Sequence, residues 1–326
     1  MPTITMTNEV FGRHTDVYTD TAGDLGDADG APWYIPRLFA KKVLYDFWKS
    51  TVWKETTNTD YEGEFKKMGD TIRIRKAPEM TVNDYVKGET IAYEVPAEDA
   101  TTMTISYGKY VAFQVDDIDS VQMDVDLMNM YATDADERLK VQVDVDVLTA
   151  MGSGAQATYN TGNTAGLISG NIELGAAGDT TNVHVDRTNA LDKIVDMNQA
   201  LDEQSIPNVD RFVIIPAWYA SRLKLSDLKA ADFSGDSTGV VRTGLIGMID
   251  GCKVFVNNSI YSTATGETEY HVVCGVKMAT SFALQLSKVD QMKIHTSFGE
   301  YWRTLWVYGI KVVRSEAIVN LICTPG

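Results

Sequence analysis

Residues 61–151 join two patterns that few folds accommodate side by side: a turn-punctuated run of alternating residues, then one long acidic amphipathic segment. Ile72 and Ile74 alternate with Arg73 and Arg75, Ile91, Tyr93 and Val95 alternate with smaller or polar residues, and Met103, Ile105 and Tyr107 lead into Val111, Phe113 and Val115. This period of two predicts strands. Val121, Val125, Met128, Ala132, Ala135, Leu139, Val143 and Val147 then recur at steps of three or four, which puts them on one stripe of a helix. The helix is predicted from Ser120 to Ala150, about 45 Å at 1.5 Å per residue. Asp119 or Ser120 serves as its N-cap, and Gly152-Ser153-Gly154 ends it. Val141, Val143, Val145 and Val147 also alternate as a strand would, but the helical stripe continues through them, so helix is preferred. A two-stranded ribbon is marginal alone in water and needs a partner.

The ribbon is divided by charge. Its first limb carries Lys66, Lys67, Arg73, Arg75 and Lys76, and its second carries mostly acids, Asp84, Glu89, Glu94, Glu98 and Asp99, with Lys87-Gly88 as a turn signal between Pro78 and Pro96. Complementary limbs pair with each other or with neighbouring copies. The formal net charge of -16 is concentrated in two places: residues 1–30 hold six acids against Arg13, and residues 116–146 hold ten against Arg138 and Lys140. Asp124, Asp126, Asp134, Asp136, Glu137, Asp144 and Asp146 lie on the predicted helix, and a solvated acidic face is the expected arrangement. On a helix, positions two apart such as Asp124/Asp126 and Asp144/Asp146 diverge, which argues against metal chelation. An acidic surface repels phosphate and excludes a nucleic-acid reader; it suits solubility alone, or a protein lying near DNA without adhering to it.

With 326 residues the chain has room for about two domains. A 44% hydrophobic and 23% charged composition is that of a globular protein. No apolar stretch reaches the roughly 20 residues of a membrane span, and the start lacks a basic and apolar leader pattern, so folding in the cytosol without a membrane partner is expected. Cys252, Cys274 and Cys323 are odd in number, widely spaced and flanked by apolar residues, which predicts buried thiols.

Residues 1–30, rich in Thr, Asp and Gly, read as an extended arm, and Ile35 to Thr51 as a helix with Pro36 near its start. Residues 153–185 form a loop-rich junction or small insertion. A second domain follows: a helix marked by Leu191, Ile194, Val195, Asn198 and Leu201, a buried strand Arg211-Phe212-Val213-Ile214-Ile215, and a helix opened by Pro216. Two short apolar segments then flank a glycine turn within residues 244–256, and the chain ends in strands at Met292-Lys293-Ile294 and from Trp302 to Val313.

No catalytic constellation emerges. His14, His184, His271 and His295 are scattered, and there is no zinc-spaced cysteine pair, phosphate-binding loop, nucleophile elbow or dinucleotide fingerprint. Asp27-x-Asp29-Gly30 resembles a fragment of a calcium loop, but the alignment puts Leu25 and Pro36 where ligands belong. No cofactor is expected. An enzyme with a dispersed site beside the strand at 211–215 stays as an alternative, although no titratable pair sits there.

In the order of its parts over residues 30–326, the chain resembles the major capsid proteins of tailed bacteriophages with the Hong Kong 97-like fold. Gly69-Asp70-Thr71-Ile72-Arg73-Ile74 resembles the start of that family's extended loop, and Tyr107 to Asp119 its return to the spine helix. Residues 211–219 resemble the family's central axial-domain strand and following helix; Gly247-x-Ile249-x-Gly251-x-x-Val254 and the run from Tyr308 to Ala317 also recur there.

The resemblance implies an α+β fold. It comprises an N-terminal arm (1–30), an N-terminal helix region of a peripheral domain (31–60), an extended β-hairpin loop (61–115), a spine helix (116–152), the junction (153–185), an axial domain (186–287) and C-terminal strands returning to the peripheral domain (288–326). It implies pentamers and hexamers in an icosahedral shell around double-stranded DNA, assembled in the host cytoplasm. The loop residues Lys66, Lys67, Arg73, Arg75, Lys76, Asp84, Lys87, Glu89 and Glu94 would contact neighbouring subunits. The short N-terminal arm suggests a separate scaffolding protein beside portal and decoration partners; cross-linking through Lys87 is not expected. An encapsulin-like compartment protein shares this fold and stays as an alternative, as does another phage structural protein of the tail-tube or decoration kind.

Overall fold

The computed structural model describes residues 49–326 apart from 62–70, 78, 79, 86, 89, 92, 96–98, 118–126, 177–182, 227–246, 266 and 295–297. The expected N-terminal arm lies outside these residues. Of the helix expected to end at Thr51 only residues 49–51 are described, and they are not helical; a short helix, α1 (Trp53–Thr56), follows instead.

Among the described residues the strands form three sheets. The first is the ribbon: β1 (Thr71–Lys76) pairs antiparallel with β2 (Asp99–Thr104), Thr71 opposite Thr104 and Lys76 opposite Asp99. Alternation sorts the side chains as the sequence predicts. Ile74 and Met103 are buried with Ile105, Ala283 and Val307, while Arg73 and Arg75 are exposed. The ribbon is shorter than the run 61–115, because β3 (Tyr107–Asp116) belongs to the second sheet, where it pairs along its length with β11 (Gly299–Val312). A long strand, β10 (Thr280–Lys293), flanks β11 on its other side, with a bulge between Leu284 and Leu286.

The long helix, α2 (Leu127–Gly154), explains how this sheet is covered. Ala135, Leu139, Val143 and Val147 of the predicted stripe are buried, joined by Leu148 and Met151. Their spacing lines one face, and that face has two targets. Val143, Val147, Leu148 and Met151 share a core with Phe282, Tyr308 and Ile310 of the second sheet and with Phe212, Ile214, Val273 and Ile318 of the third. The helix is therefore a common wall between two sheets. Each fully buried aliphatic side chain contributes about 1.5–3 kcal/mol relative to exposure.

The third sheet has the order β4 (Val183–Val185), β12 (Ile318–Pro325), β9 (Glu267–Val276), β5 (Arg211–Ile215), β7 (Cys252–Val256), β6 (Met248–Ile249), with β8 (Ser262–Thr265) also on β9. β5 is buried at all five residues, parallel to β7 and antiparallel to β9. Its second face is covered by α3 (Ala190–Glu203) and α4 (Ala217–Leu225), through Ile194, Met197, Leu201, Tyr219 and Leu223. Pro216 stands at the N-terminal boundary of α4, as expected. Met248–Ile249 and Cys252–Val256 close the predicted glycine turn, with Asp250 and Gly251 both at positive φ.

Two expectations need correction. The C-terminal strands do not act as one group from residue 288: β10 already starts the second sheet at Thr280, whereas β12 enters the middle of the third, between β4 and β9. The reason is visible in the residues. β11 alternates, but Ile318-Val319-Asn320-Leu321-Ile322-Cys323 is a continuous run, buried at every position, as a strand covered on both faces must be. Second, Ile91, Tyr93 and Val95 carry strand alternation without being in a strand, and all three are exposed.

Candidate functional site

At the root of the ribbon, Gly309 of β11 lets the backbone approach closely: a side-chain carbon there would stand 2.8 Å from the Thr104 carbonyl oxygen and 3.3 Å from Ile105 Cα. The ribbon is thus seated on the face of the second sheet opposite α2. Away from the root, Asp84 and Lys87 are exposed, and Gly88 takes a positive φ in the turn predicted there. Glu94 is exposed too, and its Oε2 accepts the Thr81 backbone N–H at 3.1 Å, tying the two limbs together. Lys76 lies opposite Asp99 in the register. Of the other loop residues singled out, Lys66, Lys67 and Glu89 fall outside the described residues.

The acids of α2 divide into two groups. Asp134 pairs with Arg138 at 2.6 Å, and Asp136 and Glu137 both reach Lys140, at 2.8 and 2.7 Å. These i,i+3 and i,i+4 pairs are partly exposed and leave the carboxylates on the outer face of the helix. Asp124 and Asp126 lie outside the described residues.

Asp144 and Asp146 are not on a solvated face. Asp144 is fully buried; its Oδ1 accepts the backbone N–H groups of Val52 (2.9 Å) and Trp53 (3.0 Å), and its Oδ2 accepts from the Asn257 amide. Burial pushes its carboxyl above the usual carboxylate range against the pull of these donors. The physical reason is helical spacing: Asp144 stands four and seven residues before buried Leu148 and Met151, on their stripe. Asp146 accepts the Tyr308 hydroxyl at 2.6 Å and pairs with Lys109 at 3.1 Å. Burial, and then Asp146, pushes the Tyr308 phenol well up.

Several internal polar residues escaped the sequence reading. Asn160 is buried and donates to the carbonyls of Ser315, Glu316 and Ile318, while Asn320 N–H bonds its carbonyl. Arg211, fully buried at the head of β5, bonds Asn198, the Ile206 carbonyl and Asp202. Its placement directly before four apolar residues was the available signal. Glu203 of α3 accepts the N–H groups of Ile168 (2.8 Å) and Ser169 (3.1 Å), fastening the junction loop to that helix. Burial pushes its carboxyl up, but the Gln199 amide and these loop donors hold it down to about 2.

The three cysteines are buried and unbridged, as the sequence predicts. Cys252 and Cys274 lie on β7 and β9, the two strands flanking β5. The hydrogen bond between their thiols, and then Arg211, pulls Cys252 down, while the same bond and burial push Cys274 well up. His184 meets the Thr324 hydroxyl at 2.8 Å and His271 the Asn320 amide at 3.0 Å, across strand pairs. Burial lowers the His271 pKa. Among the described residues no group of three or more metal-ligating side chains stands together, and no helix is long and apolar enough to cross a membrane.

No protein-family model and no curated protein matches the chain in sequence. Solved structures do. A chain of Mycobacterium phage Che8 has a TM-score of 0.73 and 26% identity, over 89% of this chain and 97% of that one. A chain from the capsid structure of the cyanophage P-SCSP1u gives 0.66 and 16%, over 94% and 100%. One from the asymmetric unit of the bacteriophage PhiM1 mature capsid gives 0.66 and 13%, over 92% and 95%. The likeness extends over most of each chain rather than over one segment, and it agrees with the resemblance noted in the sequence. The chain thus shares its α+β fold with these phage structures.

Proposed function

We propose that this chain forms a shell of pentamers and hexamers that encloses the double-stranded DNA of a tailed phage. The observation that carries the reading is the match to phage structures along nearly the whole of both chains, 89% and 97% for Che8. The ribbon supports it: one end is packed on the second sheet and the other is held out in solvent with charged and apolar groups exposed. In this reading the second sheet and α2 form the peripheral domain, and the third sheet with α3 and α4 the axial domain. β12 then belongs to the axial domain. The work of the chain is assembly in the host cytoplasm, aided by separate scaffolding and portal proteins, with binding energy rather than chemistry as its product.

Electron microscopy of the purified protein, expressed with and without its scaffold, tests this directly. Closed shells or rings of five and six are expected; a protein that stays monomeric in every condition refutes it. Removing residues 79–92 leaves the packed root of the ribbon untouched, so the variant is expected to be folded by circular dichroism yet unable to form shells. Shells of normal yield from that variant would remove the ribbon from the assembly role.

A further inference from the structure

Where the last turn of α2 meets the third sheet, a polar pair is shut in. His271 of β9 and Asn320 of the adjoining β12 are 8% and 4% exposed. A side-chain carbon at Gly152 would lie 3.7 Å from His271 Cβ, 3.9 Å from its Nδ1 and 4.0 Å from Asn320 Oδ1, so both side chains pack against the helix end. The ring of Tyr261, itself 39% exposed, lies against the imidazole with 4.9 Å between centroids, and its carbonyl accepts the His271 N–H at 3.1 Å.

The pair is incompletely satisfied. Asn320 Nδ2 meets His271 Nδ1 at 3.0 Å, so the neutral ring accepts there and carries its hydrogen on Nε2. Among the described residues neither that Nε2 nor Asn320 Oδ1 has a hydrogen-bond partner, and both atoms are buried. A second proton on the ring turns Nδ1 into a donor facing an amide nitrogen. The amide relieves this by turning over, since Oδ1 has no partner to lose. Nε2 gains nothing, and a charged donor without an acceptor is costly where water is kept out. Among the described residues the titratable groups facing the ring are Glu269 and Tyr261. Glu269, two residues away on the same face of β9, is buried and accepts the Thr263 hydroxyl at 2.9 Å. On the same face of β12, Asn320 stands between apolar Ile318 and Ile322, and α2 presents Gly152. Burial lowers the pKa of His271 more than Glu269 and Asn320 raise it.

We infer that His271 and Asn320 form a latch between α2 and the third sheet that acid opens. It goes beyond the shell-forming reading and stands without it. Above the ordinary histidine value of about 6.5 the ring is neutral and stays in place. As pH falls below that value, proton uptake favours conformations in which the ring has swung past Tyr261 into water, and the contribution of the closed latch is lost toward the folded pKa. The loss lands on α2: Leu148 and Met151 share a core with Val273 and Ile318, the next residues on that face of β9 and β12. Since α2 is the wall common to two sheets, the proton loosens the joint between them rather than either sheet by itself.

Hydrogen exchange of the full chain tests this, with protection corrected for the intrinsic rate at each pH. In the native protein, protection of residues 148–154 and 269–273 is expected to fall several-fold from about pH 7.5 to about pH 5 while β5 keeps its own, because local opening is read apart from global unfolding. His271→Gln takes up no proton and is expected to lose this pH dependence. His184→Gln, which alters the contact with Thr324 instead, is expected to keep it. An acid response that persists in His271→Gln, or that His184→Gln removes instead, overturns the latch. So does no response in the native protein, or one spread evenly through β5. A second measurement needs no variant: exchange of the imidazole C2 hydrogen, followed by mass spectrometry across pH, gives the midpoint of His271 in the unmodified protein. A midpoint below the ordinary value that tracks the loss at 148–154 upholds the latch even where His271→Gln does not fold. A midpoint at or above that value overturns it.

Discussion

Asp144 shows how one carboxylate can hold three parts of the chain in register. It satisfies two N–H groups at the start of α1, receives the Asn257 amide beyond β7, and sits on α2. Asp144→Ala strands those buried donors and is expected to cost roughly 2–4 kcal/mol in chemical denaturation. Asp144→Asn keeps an acceptor for them and is expected to lose much less. The pH dependence has a definite sign. Burial raises the folded-state pKa above the unfolded value near 4, so Asp144 favours folding most when protonated, and that contribution is lost as pH rises through the folded pKa. The Asn variant should lack this trend. Glu203 behaves oppositely: its folded pKa of about 2 lies below the ordinary value, so its hold on the junction loop is complete above the ordinary carboxylate range and fades as pH falls toward 2. Hydrogen exchange at Ile168 and Ser169 is expected to accelerate in Glu203→Gln at neutral pH, and in the native protein only on acidification. Unchanged protection in Glu203→Gln would deny the contact any role in holding the loop.

At the scale of elements, the glycine under the ribbon gives the clearest prediction. Gly309→Ala forces the Thr104 carbonyl away from β11, and overpacking of this kind costs about 1–3 kcal/mol; faster exchange confined to β1 and β2 is the expected signature. A variant with native exchange there would mean the ribbon root is not held by that approach. The helices α2, α3 and α4 were legible because each carries apolar residues at helical spacing, and β5 because Phe212 to Ile215 form one unbroken apolar run. It was less clear where one period served two purposes. Asp144 lies on the same three-and-four spacing as Leu148 and Met151, so the helix was found while its polar anchor was taken for surface. Ile91, Tyr93 and Val95 have a strand's pattern without a strand inside this chain, because periodicity records which face is buried and not which molecule buries it. β12 differed from its neighbours by being apolar at every position from Ile318 to Cys323 but Asn320 and buried throughout that run, a signal of central position that alternation alone does not supply.

At the scale of the molecule, α2 makes the two larger sheets share one core, while the charge that dominates the composition is spent unevenly. Asp134, Asp136 and Glu137 are matched by Arg138 and Lys140, and Asp144 and Asp146 are committed inside. The long helix is therefore less of an anionic surface than its sequence suggests, and repulsion of packaged DNA does not follow from counting its acids. The thiols have a different consequence. With Cys252, Cys274 and Cys323 enclosed in the third sheet, a maleimide dye or cargo attached to a cysteine installed at the ribbon tip would mark that position alone, so that the particle could be decorated chemically without first stripping its native sulfur.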